Sequence, residues 1–374
     1  MTDISKESLI WFGRTLDIDG VCYFDYSAAG FEFAFTGTKA VCTLCSDPDS
    51  WQVDTKCWLG VYVSELDADA AKKPLDFWQG FGSEPDKHIQ LNKKLADYTL
   101  FESATPKTVH IRVIKLSEAA FAYAGFCGLK LEGKLLENCI DSAKKAKALK
   151  KPKIQFIGDS ITCGYGIDGV FEKDVFTTAQ ERADKSFAFL TAKELGAEFQ
   201  MVSWSGIGII SCYIAPEEDY VRTEILMPML YPYTDKSLSL RLKLEPEIWN
   251  AASFKPDVIV INLGTNDQSY TRQKKERVDT FISCYRQFLE CVHRNSPEAA
   301  IVACLGVMGQ DLCGAVEEAA ALFKQDFPKA EISVLKFDEQ DEKDGIGADW
   351  HPSAKTHQKL AQKLAAHIRQ NKLI

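Results

Sequence analysis

With 374 residues, 46% of them hydrophobic and 26% charged, the chain has the composition of a soluble globular protein with room for two domains. Its net charge of -9 excludes the basic surface that a nucleic-acid binder needs to displace counterions. No stretch reaches the roughly 18 apolar residues that span a bilayer, so no membrane partner is expected.

The N-terminus, Met1-Thr2-Asp3-Ile4-Ser5-Lys6-Glu7, is acidic and polar and lacks the apolar core of a secretory signal. A cytoplasmic location is therefore expected, with the twelve cysteines as reduced thiols. Cys42 and Cys45 form a lone CxxC. No second pair stands at zinc-ribbon spacing and residues 40–45 read as strand, so no metal site is expected there.

Residues 1–140 read as an antiparallel β-sandwich, jelly-roll-like in character. Phe31-Glu32-Phe33-Ala34-Phe35-Thr36 and Val109-His110-Ile111-Arg112-Val113-Ile114 alternate with period two, and Gly, Asp and Pro punctuate such runs. A lysine-rich linker follows at 141–152, with Lys144, Lys145, Lys147, Lys150 and Lys151 on a solvated surface. From 153 to 374 the pattern is strand–helix alternation. Short apolar strands are expected at 154–157, 199–202, 258–263, 301–305 and 332–335, with amphipathic helices between several of them, such as the one marked by Val278, Phe281, Ile282, Tyr285, Phe288, Leu289 and Val292. The fold class is therefore α/β, a parallel sheet under crossover helices preceded by the sandwich.

Polar groups fall at four strand ends. Gly158-Asp159-Ser160-Ile161-Thr162 follows the first strand of the second half, at the carboxyl edge where open sheets bind ligands. Taken alone it could equally be an ordinary capping turn. Ser205-Gly206-Ile207-Gly208 follows the second strand and Gly264-Thr265-Asn266-Asp267 the third. Asp349-Trp350-His351-Pro352 precedes a C-terminal helix with Leu360, Leu364 and Ile368 on one face.

In this order the four blocks resemble those of the SGNH/GDSL hydrolases. The match is closer still to carbohydrate esterase family 2, through the leading sandwich, Gly-Asp-Ser-Ile-Thr, the terminal His351-Pro352-Ser353 and an opening Gly13-Arg14. The resemblance implies a three-layer SGNH domain at 153–374 and a serine esterase that deacetylates acetylated oligosaccharides derived from mannan or xylan, with no cofactor. It makes Ser160 the nucleophile and His351 the general base. The amides of Ser160 and Gly206 and the side chain of Asn266 would form the oxyanion hole, with Gly208 as an alternative to Gly206. Asp159 and Asp267 would brace their loops.

Family members usually carry the triad aspartate three residues before the histidine, where this chain has Ala348; Asp349 is the candidate third catalytic member. An extended loop would put its carboxylate beside His351, whereas a tight turn would leave a backbone carbonyl to orient the ring. The base is expected to titrate near the ordinary value of about 6.5. Trp350 is a candidate substrate-stacking residue. His88, His110, His293, His357 and His367 lack a catalytic context and read as structural.

Gly164-Tyr165-Gly166-Ile167-Asp168-Gly169 spells GxGxxG, but it stands too far beyond its strand for dinucleotide binding. The aromatics of 211–250, Tyr213, Tyr220, Tyr231, Tyr233 and Trp249, would either wall the site and stack on sugar rings or pack against the sandwich as interface core. A lipase or thioesterase on other acyl esters, or a glycan-binding protein, are the competing functions.

Overall fold

The computed structural model describes residues 1–49, 54–146 and 151–374. Two compact units divide it, Met1–Lys151 with Thr177–Ala179, and Pro152–Phe176 with Gln180–Ile374.

The first unit is a curled antiparallel sheet of nine strands: β1 Thr2–Ile4, β2 Ile10–Phe12, β3 Leu16–Ile18, β4 Val21–Tyr23, β5 Gly30–Cys45, β6 Cys57–Glu65, β7 Lys87–Leu91, β8 Leu95–Lys115 and β9 Gly125–Leu135. Its main path runs β3-β4-β9-β5-β8-β6-β7, with β1 on β9 and β2 on β5. The alternation seen in the sequence survives as register, with Phe31, Phe33 and Phe35 opposite Val113, Ile111 and Val109. Sixteen residues of β5 and twenty-one of β8 are too long for a flat strand. Register shifts between Gly37 and Lys39 and between Ala40 and Val41 bend the ladder, as bulges do.

Trp11 lies at the centre of an aromatic cluster, its ring centroid 5.2 Å from Phe31, 5.5 Å from Phe126 and 5.9 Å from Phe24. His110 is buried against Glu32 at 2.8 Å. The lysine-rich stretch is partly a helix, α1 Glu137–Ala146. Lys144 donates to the Glu7 carbonyl and Lys151 bonds Asp76 at 2.7 Å. Lys147 and Lys150 lie outside the described residues.

The second unit has five parallel strands, β10 Lys153–Gly158, β11 Glu198–Ser203, β12 Val258–Asn262, β13 Ala300–Leu305 and β14 Ile332–Lys336, in the order β11-β10-β12-β13-β14. Its helices are α2 Ser160–Cys163, α3 Phe187–Leu195, α4 Met227–Leu230, α5 Lys236–Arg241, α6 Thr265–Thr271, α7 Lys275–Asn295, α8 Cys313–Asp326 and α9 Ala354–Gln370. Right-handed crossovers explain the layers. Stepping from β10 to β11 goes one way along the sheet and stepping from β12 to β14 goes the other, so the crossover helices fall on opposite faces. Accordingly α3 packs with α9, and α7 with α8. The reversal occurs at β10, which makes its carboxyl end the topological switch point. No helix among the described residues is long and apolar enough to cross a membrane.

Because Phe31 is fully buried amid three other rings, Phe31→Ala should cost roughly 3–5 kcal/mol by cavity formation. A lowered urea midpoint for the transition of the first unit, with that of the second unchanged, is the expected reading.

Candidate active site

Ser160 stands at the switch point because β10 ends in a turn that only glycine permits. A Cβ on Gly158 would lie 2.0 Å from the Thr162 hydroxyl oxygen. Asp159 then caps the short α2, its carboxylate accepting from the Ile161 amide at 3.1 Å. Gly164, at φ 82, ends that turn. Ser160 is buried, with 7% of its surface exposed.

The imidazole of His351 meets this serine, with Nε2 2.8 Å from Ser160 Oγ. On its other side Nδ1 faces two backbone carbonyls, Asp349 at 3.0 Å and Ala348 at 3.2 Å. Carbonyl oxygens only accept, so Nδ1 carries the ring proton. Nε2 is thereby left with its lone pair toward the serine hydroxyl. This is the tautomer a general base requires.

Asp349 is not where an extended loop would put it. It lies in a tight turn at φ 50 and ψ 42, and Trp350 follows at φ 64. Two successive left-handed residues swing the Asp349 carboxylate away from the ring, and its Oδ2 accepts from the Tyr165 hydroxyl at 2.8 Å. Of the two loop geometries the tight turn is the one found, and backbone carbonyls face Nδ1 of this imidazole. The turn is tied down by Ala348 N–H to Gly166 at 3.0 Å, Gly347 N–H to His351 at 2.8 Å and Gln340 Nε2 to the Trp350 carbonyl at 2.8 Å.

Tyr165 also covers the base. Its ring lies 4.4 Å from the imidazole and stacks at 3.7 Å on Phe176. Tyr165, Phe176 and Gln340 were not singled out as site residues from sequence. Tyr165 lay inside the GxGxxG pattern and was weighed only as part of it. Its position five residues past the serine, with its amide on the Ser160 carbonyl at 3.1 Å, was the available signal.

The other two blocks start from adjacent positions at the same sheet edge, since Gly158 is level with Ser203 on β11 and with Asn262 on β12. Gly206 adopts φ 75, with open space where a side chain would be, so its backbone angle is what calls for glycine. Asn266 is buried at 7% exposure and spends one amide hydrogen on the Ile207 carbonyl at 2.8 Å. An amide carries a second donor hydrogen.

Asp267 braces the Gly206 block from beneath. Its carboxylate accepts from the amides of Ile209, Ile210 and Ser211 at 3.0, 2.8 and 3.2 Å. Burial pushes its pKa up to about 6 against the opposing pull of those amides. A Cβ on Gly208 would lie 2.7 Å from this carboxylate, so Gly208 makes room for the brace.

Trp350 is 42% exposed and packs edge-on against Phe171 at 4.9 Å. The aromatics of 211–250 differ in burial. Tyr231 is core, its hydroxyl on Gln155 at 2.9 Å, whereas Tyr213 and Tyr220 are about half exposed. Among the described residues no group of three or more His, Cys, Asp or Glu is placed to hold a metal ion.

Burial pushes the His351 pKa down to about 4, outweighing the two carbonyls and the charge of Asp349, which act in the opposite direction. The ordinary value of about 6.5 is thus not the one expected in the fold. A base with a depressed pKa stays neutral as the pH falls through 6.5 and is lost only near its folded value. Ester hydrolysis at limiting substrate should hold its plateau at pH 6 and fall only below about pH 5. An acid limb centred at or above 6.5, or an NMR titration of the ring there, would contradict this.

Residues 156–359 match the GDSL-like lipase/acylhydrolase family. A cellulase/esterase, CelE, of Acetivibrio thermocellus is 30% identical over 353 residues, covering 93% of this chain but 37% of that protein. The chain therefore spans just over a third of that relative's length. An acetylxylan esterase/glucomannan deacetylase of Cellvibrio japonicus is 31% identical over 295 residues, 74% of this chain and 73% of that one. A solved family two carbohydrate esterase from Clostridium thermocellum, in complex with cellohexaose, superposes with a TM-score of 0.75 at 29% identity, covering 98% of this chain and all of its own. With a hydrolase segment that fits the family model over more than half of the chain, the chain belongs to the GDSL-like lipase/acylhydrolase family, and its likeness to a solved family two carbohydrate esterase extends through both units.

Proposed function

We propose that this chain is a serine O-acetyl esterase acting on acetylated oligosaccharides from mannan or xylan through an acyl-enzyme. The observation that carries the reading is the Ser160–His351 contact of 2.8 Å, with the ring proton held on the far nitrogen. Ser160 Oγ attacks the acetyl carbonyl as His351 Nε2 takes its proton. The oxyanion is met by the amides of Ser160 and Gly206 and by the second amide hydrogen of Asn266. His351 then protonates the departing sugar hydroxyl, and in the second half reaction it activates water against the acetyl-serine.

The carbohydrate substrate rests on relatives named for acetylxylan and glucomannan and on the neighbour that holds cellohexaose. Exposed Trp350, at the rim beside the base, suits a sugar ring. Cytoplasmic action on imported oligosaccharides belongs to the same proposal and rests on twelve free thiols.

Ser160→Ala should reduce acetate release from acetylated mannan and xylan oligosaccharides to a trace without loss of fold. Substantial residual turnover in that variant would remove the mechanism. A preference for long-chain nitrophenyl esters over the acetyl ester would redirect the proposal to a lipase or thioesterase.

Asp349→Asn is expected to cost less than about tenfold, because its carboxylate is on Tyr165 and not on the base. A true triad aspartate loses on the order of 10⁴. A loss of that size in kcat would restore Asp349 as the third catalytic member.

A further inference from the structure

The lone CxxC at Cys42 and Cys45 is left without a role by the esterase site. It does not act as a unit. Burial alternates along this end of β5, with Ala40, Cys42 and Leu44 inside and Val41, Thr43 and Cys45 outside, so its two thiols point to opposite faces. Cys45 faces another partner. On β9, Leu44 pairs with Phe126 and Thr43 with Gly128, which leaves Cys127 as the extra residue of a bulge. That residue is exposed while its neighbour Phe126 is buried, so Cys127 lies on the same outer face as Cys45.

The two sulfurs converge over Gly125. A Cβ there would lie 2.5 Å from Cys45 Sγ, and Cys127 Sγ is 4.0 Å from the Gly125 carbonyl oxygen. The missing side chain is the notch that admits the first thiol.

We propose that Cys45 and Cys127 are a redox-reactive dithiol at which hydrogen peroxide closes a reversible disulfide between β5 and β9. Cys127 is the attacking member, being exposed, while Cys45 is half-buried and resolves. The Cys127 thiolate attacks one peroxide oxygen and the O–O bond breaks. Sulfenic acid forms and the leaving hydroxide takes a proton to become water. The Cys45 sulfur then attacks the sulfenic sulfur, the S–O bond breaks, and a second water leaves with the Cys45 proton. The two thiols lose two electrons and the peroxide gains them.

The neighbouring Cys45 thiol lowers the Cys127 pKa to about 7, against burial, and Cys127 together with burial raises that of Cys45. The titratable groups around the pair are Tyr23 on β4, Tyr123 before β9, with its ring 5.4 Å from that of Tyr23, and Asp97 on β8, bonded to Thr43. Lys130 lies further along β9. A thiol near neutral pKa and open to solvent is the kind that oxidants select.

The test uses the full chain, reduced and then treated with hydrogen peroxide at pH 7. Mass spectrometry after alkylation should find a Cys45–Cys127 cross-linked peptide lacking two hydrogens, which dithiothreitol removes. Iodoacetamide should modify Cys127 with a pH midpoint near 7, and at pH 7 at least about tenfold faster than Cys284 or Cys291, whose thiols burial pushes upward. Cys45→Ser should abolish the cross-link, raise that midpoint and leave acetyl-ester hydrolysis unchanged. Over-oxidation of Cys127 with no cross-link, or alkylation at an ordinary midpoint near 8.5–9, overturns the proposal.

Discussion

The candidate active site depends on one constraint, the direction in which two backbone carbonyls point. Ala348 and Asp349 aim their oxygens at Nδ1 of His351 only because Asp349 and Trp350 are both left-handed. For non-glycine residues that conformation costs about 1–2 kcal/mol each. The surroundings over-determine it. Gly166 receives the Ala348 amide, Gln340 holds the Trp350 carbonyl and Tyr165 holds the Asp349 carboxylate. Strain kept at a functional turn by contacts on every side is the general pattern of such sites.

The same economy governs the opposite wall. β10, β11 and β12 are in register, so three loops leave the sheet at one level without any long-range adjustment. What remains is to hold the Gly206 loop in shape, and Asp267 does this by burying a carboxylate under three amides. Taking that charge from water is costly, and its raised pKa shows that the amides offset the cost incompletely. Its folded pKa lies above the ordinary carboxylate value, so ionising it at neutral pH works against stability. The ion is kept for shape.

Much of this was legible in the sequence, and the limits are physical. The five parallel strands were visible because buried parallel strands are continuous apolar runs, and Gly-Asp-Ser and Gly-Thr-Asn-Asp could be placed at their ends by counting, whereas Asp-Trp-His-Pro stands well beyond β14, past a turn at Glu342–Asp344. The Ser160, Gly206 and Asn266 blocks leave one sheet edge because strand order and register are general properties of such sheets. Asp349 was not legible, because its role turns on one backbone angle, and Asp-Trp carries no glycine to announce a left-handed turn. Tyr165 was hidden by a pattern whose spacing drew attention to its glycines. The pairing of Cys45 with Cys127 needed a bulge on β9, and a bulge shifts by one the face on which each residue stands.

The replacement of a carboxylate by carbonyls has a consequence for the base itself. A buried carboxylate on Nδ1 would stabilise the imidazolium by charge and hold its pKa up. Two carbonyl dipoles fix the same tautomer with less stabilisation, and desolvation under Tyr165 then wins, which is why the ring becomes harder to protonate. Such a base is weaker, so it draws the serine proton with less force, yet nearly every molecule carries it in the competent neutral form even in acid. Asp349, bonded to the Tyr165 hydroxyl, still contributes its charge, which is too weak to reverse burial. Orientation comes from the backbone, and in the proposed mechanism the remaining electrostatics come from the amides of Ser160 and Gly206 and from Asn266, whose side chain is tied to the Ile207 carbonyl.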